Sequence, residues 1–194
     1  MSAQINRGKL LVISGPSGVG KTEVSIALRK LGEIYVKSVS ATTREIRTTE
    51  TEGVDYFFVS GEKFEEMKNS GELLETTFYN GNNYGTPRYF VEKVMDEGKI
   101  IILVIDVAGA LQIKKMFPDA VLCFLNAESL EAIERRLRNR KTDSEEAITN
   151  RLAVAKSELE SIGSFDFVVM NREGEMEKAA SEIDVIMRDM LAKQ

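Results

Sequence analysis

Gly15-Pro16-Ser17-Gly18-Val19-Gly20-Lys21-Thr22 fits the pattern G-x-x-x-x-G-K-[ST]. It follows a short apolar run and opens a stretch with helical spacing, which is the context a phosphate-binding loop needs. Backbone N–H groups would ring the phosphates, Lys21 would reach the terminal ones, and Thr22 would ligate Mg²⁺. A plain Gly-rich turn is the alternative. A second carboxylate at the end of another strand fits the same chemistry, and Ile100 to Ile105 runs directly into Asp106. Asp106 could equally cap the helix that starts near Ala108. Asp106-Val107-Ala108-Gly109 also matches the D-x-x-G of switch GTPases, but Asn139-Arg140-Lys141-Thr142 lacks the order and the Asp of their guanine-reading N-K-x-D segment. Between these blocks stand Ser40, Thr42, Thr43, Arg44 and Arg47, then Tyr56, Tyr84 and Thr86. Arginines this close can converge on one phosphate by bidentate hydrogen bonds, with tyrosine hydroxyls completing the ring. Taken alone, Arg44 and Arg47 beside Glu45 and Glu50 would also suit a solvated charged loop.

The elements that must hold these groups follow from hydrophobic spacing. Leu10 to Ile13 predicts a strand, and Val24, Ala27, Leu28 and Leu31 predict a helix over 23–31. The alternation returns as a strand at 100–105, a helix at 108–116, a strand at 121–125 and a helix from Leu130 to about Arg140. Continuously apolar strands separated by helices predict a parallel sheet covered on both faces. From Ser38 to about Tyr84 the texture changes to Thr-, Gly- and aromatic-containing segments with turn residues at Gly81-Asn82-Asn83, which predicts a small β-rich insertion. Thr142 and Glu145 have capping-box spacing for a helix through Ile148, Leu152, Ala155 and Leu159, so two helices meet at an elbow. Phe167 to Val169 predicts a last strand, and Met176, Ala179, Ala180, Ile183, Met187 and Met190 form the stripe of a last helix.

Composition narrows the function class. The 194 residues suit one domain with an inserted lobe, and the net charge of −5 repels polyanions, which argues against broad binding of nucleic acid or anionic membranes. There is no histidine, which removes Ser-His-Asp and Cys-His nucleophile systems. The single cysteine, Cys123, lies in an apolar run and reads as a buried, inert thiol. No segment has the length of a membrane span or the form of a leader peptide, so a cytoplasmic location is expected.

Several blocks in register make a more specific statement than any one motif. Ser38-Val39-Ser40-Ala41-Thr42-Thr43-Arg44, Gly53 to Ser60, Gly71-Glu72-Leu73-Leu74-Glu75, Tyr84-Gly85-Thr86-Pro87 and Ile105-Asp106-Val107 resemble the guanylate kinase family in order and spacing. With the phosphate loop and the Arg-rich elbow, the resemblance runs from about Lys9 to Asn171. It implies an α/β, P-loop NTPase three-layer fold with a central parallel sheet, a small β-rich GMP-binding insertion and a helical lid. The single domain would divide into a core at about 8–37, 88–137 and 155–194, a GMP-binding lobe at about 38–87 and a lid at about 138–154. The implied activity is transfer of the γ-phosphoryl group of ATP to GMP in purine nucleotide metabolism, with Mg²⁺ held by Thr22 and by Asp106 through water. ATP would lie on Gly15 to Thr22. Arg44, Arg47, Tyr56 and Tyr84 would hold the GMP phosphate, while Ser40, Glu75, Thr86 and Asp106 would face its base. Lys21, Arg136, Arg140 and Arg151 would act on the transferring group as the lid closes.

The chemistry of guanine suits those positions. One carboxylate such as Glu75 can accept from N1–H and N2–H side by side, and O6 takes a hydroxyl donor such as Thr86 or Ser40. Adenine would set its N1 acceptor against that carboxylate. The i,i+4 pairs Glu131 with Arg135 and Glu134 with Arg138 offer a purely structural use for some of the arginines. The chain departs from the family pattern at Thr49 (commonly Gly), Val104 (commonly acidic), Ala108 (commonly Gln) and Ala127-Glu128 (commonly a Pro pair). A non-catalytic alternative is a phosphopeptide-binding module of the kind found in scaffold proteins, which typically have degraded phosphate loops; here Gly20, Lys21 and Thr22 are intact.

Overall fold

A computed structural model describes residues 7–79, 81–139 and 144–193. In chain order the elements are β1 (Leu10–Ser14), α1 (Lys21–Lys30), β2 (Tyr35–Lys37), β3 (Ser40–Thr42), β4 (Tyr56–Phe58), α2 (Gly61–Asn69), β5 (Leu73–Tyr79) and β6 (Asn82–Pro87). They continue as α3 (Arg88–Asp96), β7 (Ile100–Val104), α4 (Val107–Met116), β8 (Val121–Asn126), α5 (Leu130–Asn139), α6 (Glu145–Leu159), β9 (Phe167–Met170) and α7 (Met176–Ala192).

Five strands form a parallel sheet in the order β2-β7-β1-β8-β9. Its central strands are apolar except at the last residues of β1 and β8, Ser14 and Asn126, because both faces are covered, and successive residues alternate between two cores. Leu11, Ile13, Ile100, Ile102, Cys123 and Leu125 pack with residues of α1, α5, α6 and α7. Leu10, Val12, Ile101, Leu103 and Leu122 pack with α3 and α4 on the other face. This is the expected three-layer α/β arrangement. Cys123 has no exposed surface, and burial pushes its thiol far above the ordinary range, in keeping with an inert core residue. Among the described residues no helix is long and apolar enough to cross a membrane.

The chain after β1 leaves along α1 on one face, while the chain after β7 leaves along α4 on the other. The carboxyl ends of these neighbouring strands are therefore where connections diverge and a crevice opens. Gly15 and Asp106 stand at those two ends.

The segment expected to be β-rich forms a second sheet, β4-β3-β6-β5, over its own small core of Ala41, Phe64, Met67 and Leu73. It also holds a helix that the composition of the segment masks. α2 starts at Ser60, whose side chain accepts from the Lys63 amide, and buries Phe64 and Met67 one turn apart. Asn82 and Asn83, expected in a turn, belong to β6; the turn is made at Gly81, φ 80°. The cap of α6 is Ser144, which accepts from the Ala147 amide at 3.2 Å, rather than Thr142, which lies outside the described residues. Glu134 and Arg138 pair as spaced at 2.8 Å, whereas Arg135 turns from Glu131 to Glu173 at 2.7 Å.

One backbone approach limits the loop. Gly15 has φ 133°, and a Cβ built on it would lie 2.1 Å from the Leu125 carbonyl oxygen. Gly15→Ala should cost about 2 kcal/mol or more in urea unfolding. Gly81→Ala, with φ 80° and no atom within 4 Å of its Cβ, should cost only about 1 kcal/mol. Equal losses would show that the Leu125 contact carries no weight.

Candidate active site

α1 begins on Gly20, which has φ 97° and no side-chain cap, so the first amides of the helix keep their hydrogen-bonding capacity. α2, α4 and α6 are capped by Ser60, Asp106 and Ser144. An uncapped positive helix end behind a Gly-rich loop is suited to an anion. Lys21 is folded back on this loop, donating to the carbonyls of Gly15 at 2.6 Å and Pro16 at 3.1 Å.

The loop is braced from behind. The Val19 carbonyl accepts from Asn171 Nδ2 at 2.8 Å and from Arg136 Nη1 at 3.1 Å. Arg136 also donates to the Asn171 carbonyl at 2.7 Å and to Glu128 at 3.3 Å. Arg136 was expected over the phosphates; in this structure it instead ties the loop to β9, because two carbonyls and a carboxylate converge on its planar donors. Glu128 also accepts from the Glu173 amide at 3.1 Å. Its own amide, the Glu173 amide and Arg136 hold its carboxyl below the ordinary range.

Two cavities meet at the crevice. The loop cavity, about 510 Å³, is lined by Ser17, Gly18, Gly20, Lys21, Thr22, Asp106, Arg151 and Glu158, among others. The second cavity, about 320 Å³, lies between the sheets and is lined in part by Thr22, Ser25, Ser38, Ser40, Tyr56 and Thr86. Thr22, Val104 and Ile105 line both, so the cavities share a wall whose β7 part is apolar. Asp106 Oδ1 caps α4 by accepting from the Gly109 amide at 2.7 Å, as the structural alternative had it. The same side chain also lines the loop cavity. Arg151 lies in that cavity as expected, while Arg140 lies outside the described residues.

On the second sheet, Arg44 contacts Tyr56 at 5.3 Å and pairs with Glu50 at 2.6 Å; both side chains of the pair are largely shielded, while residues 45–49 between them are exposed. Tyr56 and Tyr84 are edge to face at 5.9 Å. Burial raises the Tyr56 phenol, keeping it a donor. Arg47 is exposed beside them, its amide donating to Glu50 at 2.9 Å.

Glu75 is 6% exposed, on β5 of the same sheet. Thr86, on β6 where the β5–β6 register shifts between Leu73 and Thr76, donates its hydroxyl to Glu75 Oε1 at 2.7 Å. Burial raises the Glu75 carboxyl, the Thr86 hydroxyl and amide oppose the rise, and Asp106 adds to it. The single hydroxyl hydrogen of Thr86 is thereby committed.

Asn171, Glu158 and Glu128 were not singled out from sequence. Asn171 carried a signal, since it directly follows a strand as Asp106 does. Glu158 carried another, seven residues after Arg151 and so on the same helix face.

A carboxyl raised in the folded state is deprotonated first in the unfolded chain. Its contribution to stability is therefore full at low pH and falls as pH rises from the unfolded value of about 4.5 through the raised folded value. Glu75→Gln should melt near the wild type at pH 4 and above it at pH 7 to 8. Identical melting temperatures at both ends of that range would contradict the raised carboxyl.

The family profile described as Guanylate kinase matches residues 7–190. A guanylate kinase of Halalkalibacterium halodurans is 48% identical over 170 residues, covering 88% of this chain and 83% of that protein. One from Oceanobacillus iheyensis is 40% identical, covering 97% of this chain and 93% of that protein. The crystal structure of guanylate kinase from Anaplasma phagocytophilum superposes with a TM-score of 0.74 at 35% identity, over 96% of this chain and 87% of that one. Matches of this extent take in both sheets and the Gly-rich loop after β1, and with them the character of a nucleotide-binding kinase: the chain belongs to the guanylate kinase family.

Proposed function

We propose that this chain transfers the γ-phosphoryl group of ATP to GMP, giving ADP and GDP, with residues 15–22 as the donor site and the segment 38–87 as the acceptor lobe. The observation that carries the reading is the buried Glu75–Thr86 pair, whose Thr86 lines a cavity that shares a wall with the phosphate loop. A desolvated carboxylate with two acceptor oxygens matches the adjacent N1–H and N2–H of guanine, and a base presenting an acceptor there leaves both groups unpaired. In this scheme Thr86 orients Glu75 and turns its lone pairs to the base, while Ser40 donates to O6. Arg44, Arg47, Tyr56 and Tyr84 take the acceptor phosphate.

The donor set around the loop cavity suits a magnesium ion. Thr22 and the free oxygen of Asp106 line it, and among the described residues no cluster of three or more acidic or sulfur ligands occurs. Mg²⁺ is bound in this way where one or two protein oxygens, water and substrate phosphates share the coordination. Bound there, it would neutralise charge on the donor phosphates. The protein's own contribution is positioning and charge: loop amides orient the chain of phosphates, and Lys21 leaves the Gly15 and Pro16 carbonyls for the transferring group. Arg151, and Arg140 and Arg136 where they reach it, stabilise the spread negative charge. The acceptor is an ionised phosphate oxygen, so the reaction proceeds without the imidazole that this sequence lacks. α6 runs unbroken from Glu145 to Leu159, so a lid that includes residues 145–154 would move with the whole helix.

An ADP-release assay with ATP and Mg²⁺ against GMP, AMP, CMP and UMP tests the reading. Turnover with GMP alone is expected, and folded protein that is silent with every acceptor would sink it in favour of a binding module. Lys21→Met should lower kcat by about two to three orders of magnitude; near-normal turnover would remove Lys21 from the mechanism. In the same assay Glu75→Gln should erode the preference for GMP over AMP while leaving the KM for ATP nearly unchanged. An intact preference would show that Glu75 does not read the base.

A further inference from the structure

α6 presents one stripe to the loop cavity. Arg151, Val154 and Glu158 all line it, and seven residues of helix place Arg151 and Glu158 about 10 Å apart along the axis. At the Glu158 end the helix closes the cavity against Ser17, Gly18, Gly20 and Lys21 of the loop. The Glu158 Oε2 is buried and has no hydrogen-bond partner among the described residues. Burial raises this carboxyl, and the nearby Lys21 ammonium opposes the rise. A half-buried anion lining the mouth of the loop beside a lysine, with an oxygen left unanswered, stands where a phosphate oxygen would be held.

We propose that Glu158 is a stand-in for a donor phosphate oxygen: without nucleotide it fills part of the anion cradle, and an incoming polyphosphate displaces it. The proposal rests on the loop being the donor-phosphate site. A carboxylate and a polyphosphate cannot occupy one cavity beside Lys21 without strong repulsion, so the carboxylate leaves as the phosphates arrive. Arg151, of opposite charge on the same stripe, is attracted as Glu158 is repelled. The two forces act at positions two turns apart on one rigid helix and tilt α6 in a single sense. Lys21, folded on the Gly15 and Pro16 carbonyls, belongs to the same resting state, in which the charges of the loop are answered internally.

The test is equilibrium binding, by calorimetry, of Mg·ADP and of GMP to the full chain and to two variants. Glu158→Gln is isosteric and uncharged. Glu160→Gln removes an exposed charge two residues further on, at the end of the same helix. Glu158→Gln should bind Mg·ADP about fivefold more tightly, the effect of removing one like charge at close range in a largely solvated site. GMP affinity should be unchanged in both variants, and Glu160→Gln should bind Mg·ADP as the wild type does. On the unaltered chain, Mg·ADP should change amide hydrogen exchange across residues 151–159. Equal or weaker Mg·ADP binding by Glu158→Gln, equal tightening by Glu160→Gln, or unaltered exchange over α6 would each overturn the proposal while leaving the donor site standing. If the wild type binds GMP but no Mg·ADP, the donor-site reading falls and this proposal falls with it.

Discussion

A loop can aim its amide hydrogens at an anion only if its carbonyl oxygens are held on the opposite side. In this chain that task falls on the Val19 carbonyl, which takes one hydrogen bond from Asn171 and one from Arg136. Asn171 stands at the end of β9, at the far side of the parallel sheet from β7, and Arg136 comes from α5. The conformation of the loop after β1 is therefore set by elements more than a hundred residues further along the chain. Gly15 completes the constraint from below, because only a residue without Cβ lets the loop pass the Leu125 carbonyl. If any of these supports is loosened, the amides lose a common direction, and preorganisation of this kind is most of what a phosphate site contributes.

Charge in the crevice is balanced before any ligand is present. Lys21 rests on two carbonyls, Arg44 on Glu50, Arg136 on two carbonyls and Glu128. Each cation is thus kept near the site without the cost of an unpaired buried charge. The exchange of internal partners for substrate phosphates is a replacement of one set of hydrogen bonds by another, which lets a net-acidic protein hold polyanions locally. Glu75 is the opposite case. It is buried with Thr86 as its side-chain hydrogen-bond donor among the described residues, and its raised carboxyl marks a desolvated acid of the kind that clusters at binding sites.

Much of this was legible in the order of residues. The apolar runs of β1, β7 and β8 could only be strands buried on both faces, and the Gly-rich turn after β1 could only lead into a helix, since both follow from local periodicity. The phosphate loop, the Arg and Tyr set of the second sheet, Glu75 and Asp106 were named from spacing and family resemblance. Helix α2 was hidden because its two core residues, Phe64 and Met67, sit among charged neighbours in a segment otherwise rich in strand formers. Asn171, Glu128 and Glu158 were hidden for another reason: nothing within a window of sequence shows which distant carbonyl or amide a polar side chain will meet.

The use of two residues changed once the chain was folded. Thr86 gives its hydroxyl hydrogen to Glu75 where the β5–β6 register shifts. Arg136, carried by α5, gives its donors in this structure to the Val19 and Asn171 carbonyls. By itself the sequence determined the periodic elements, the chemistry available at each position and the sign of every charge, because these depend on residues near in the chain. Which donor meets which acceptor, and so which groups remain open to a substrate, was decided only by the tertiary structure, because hydrogen bonds act over about 3 Å and the groups that meet at the Val19 carbonyl lie far apart in the chain.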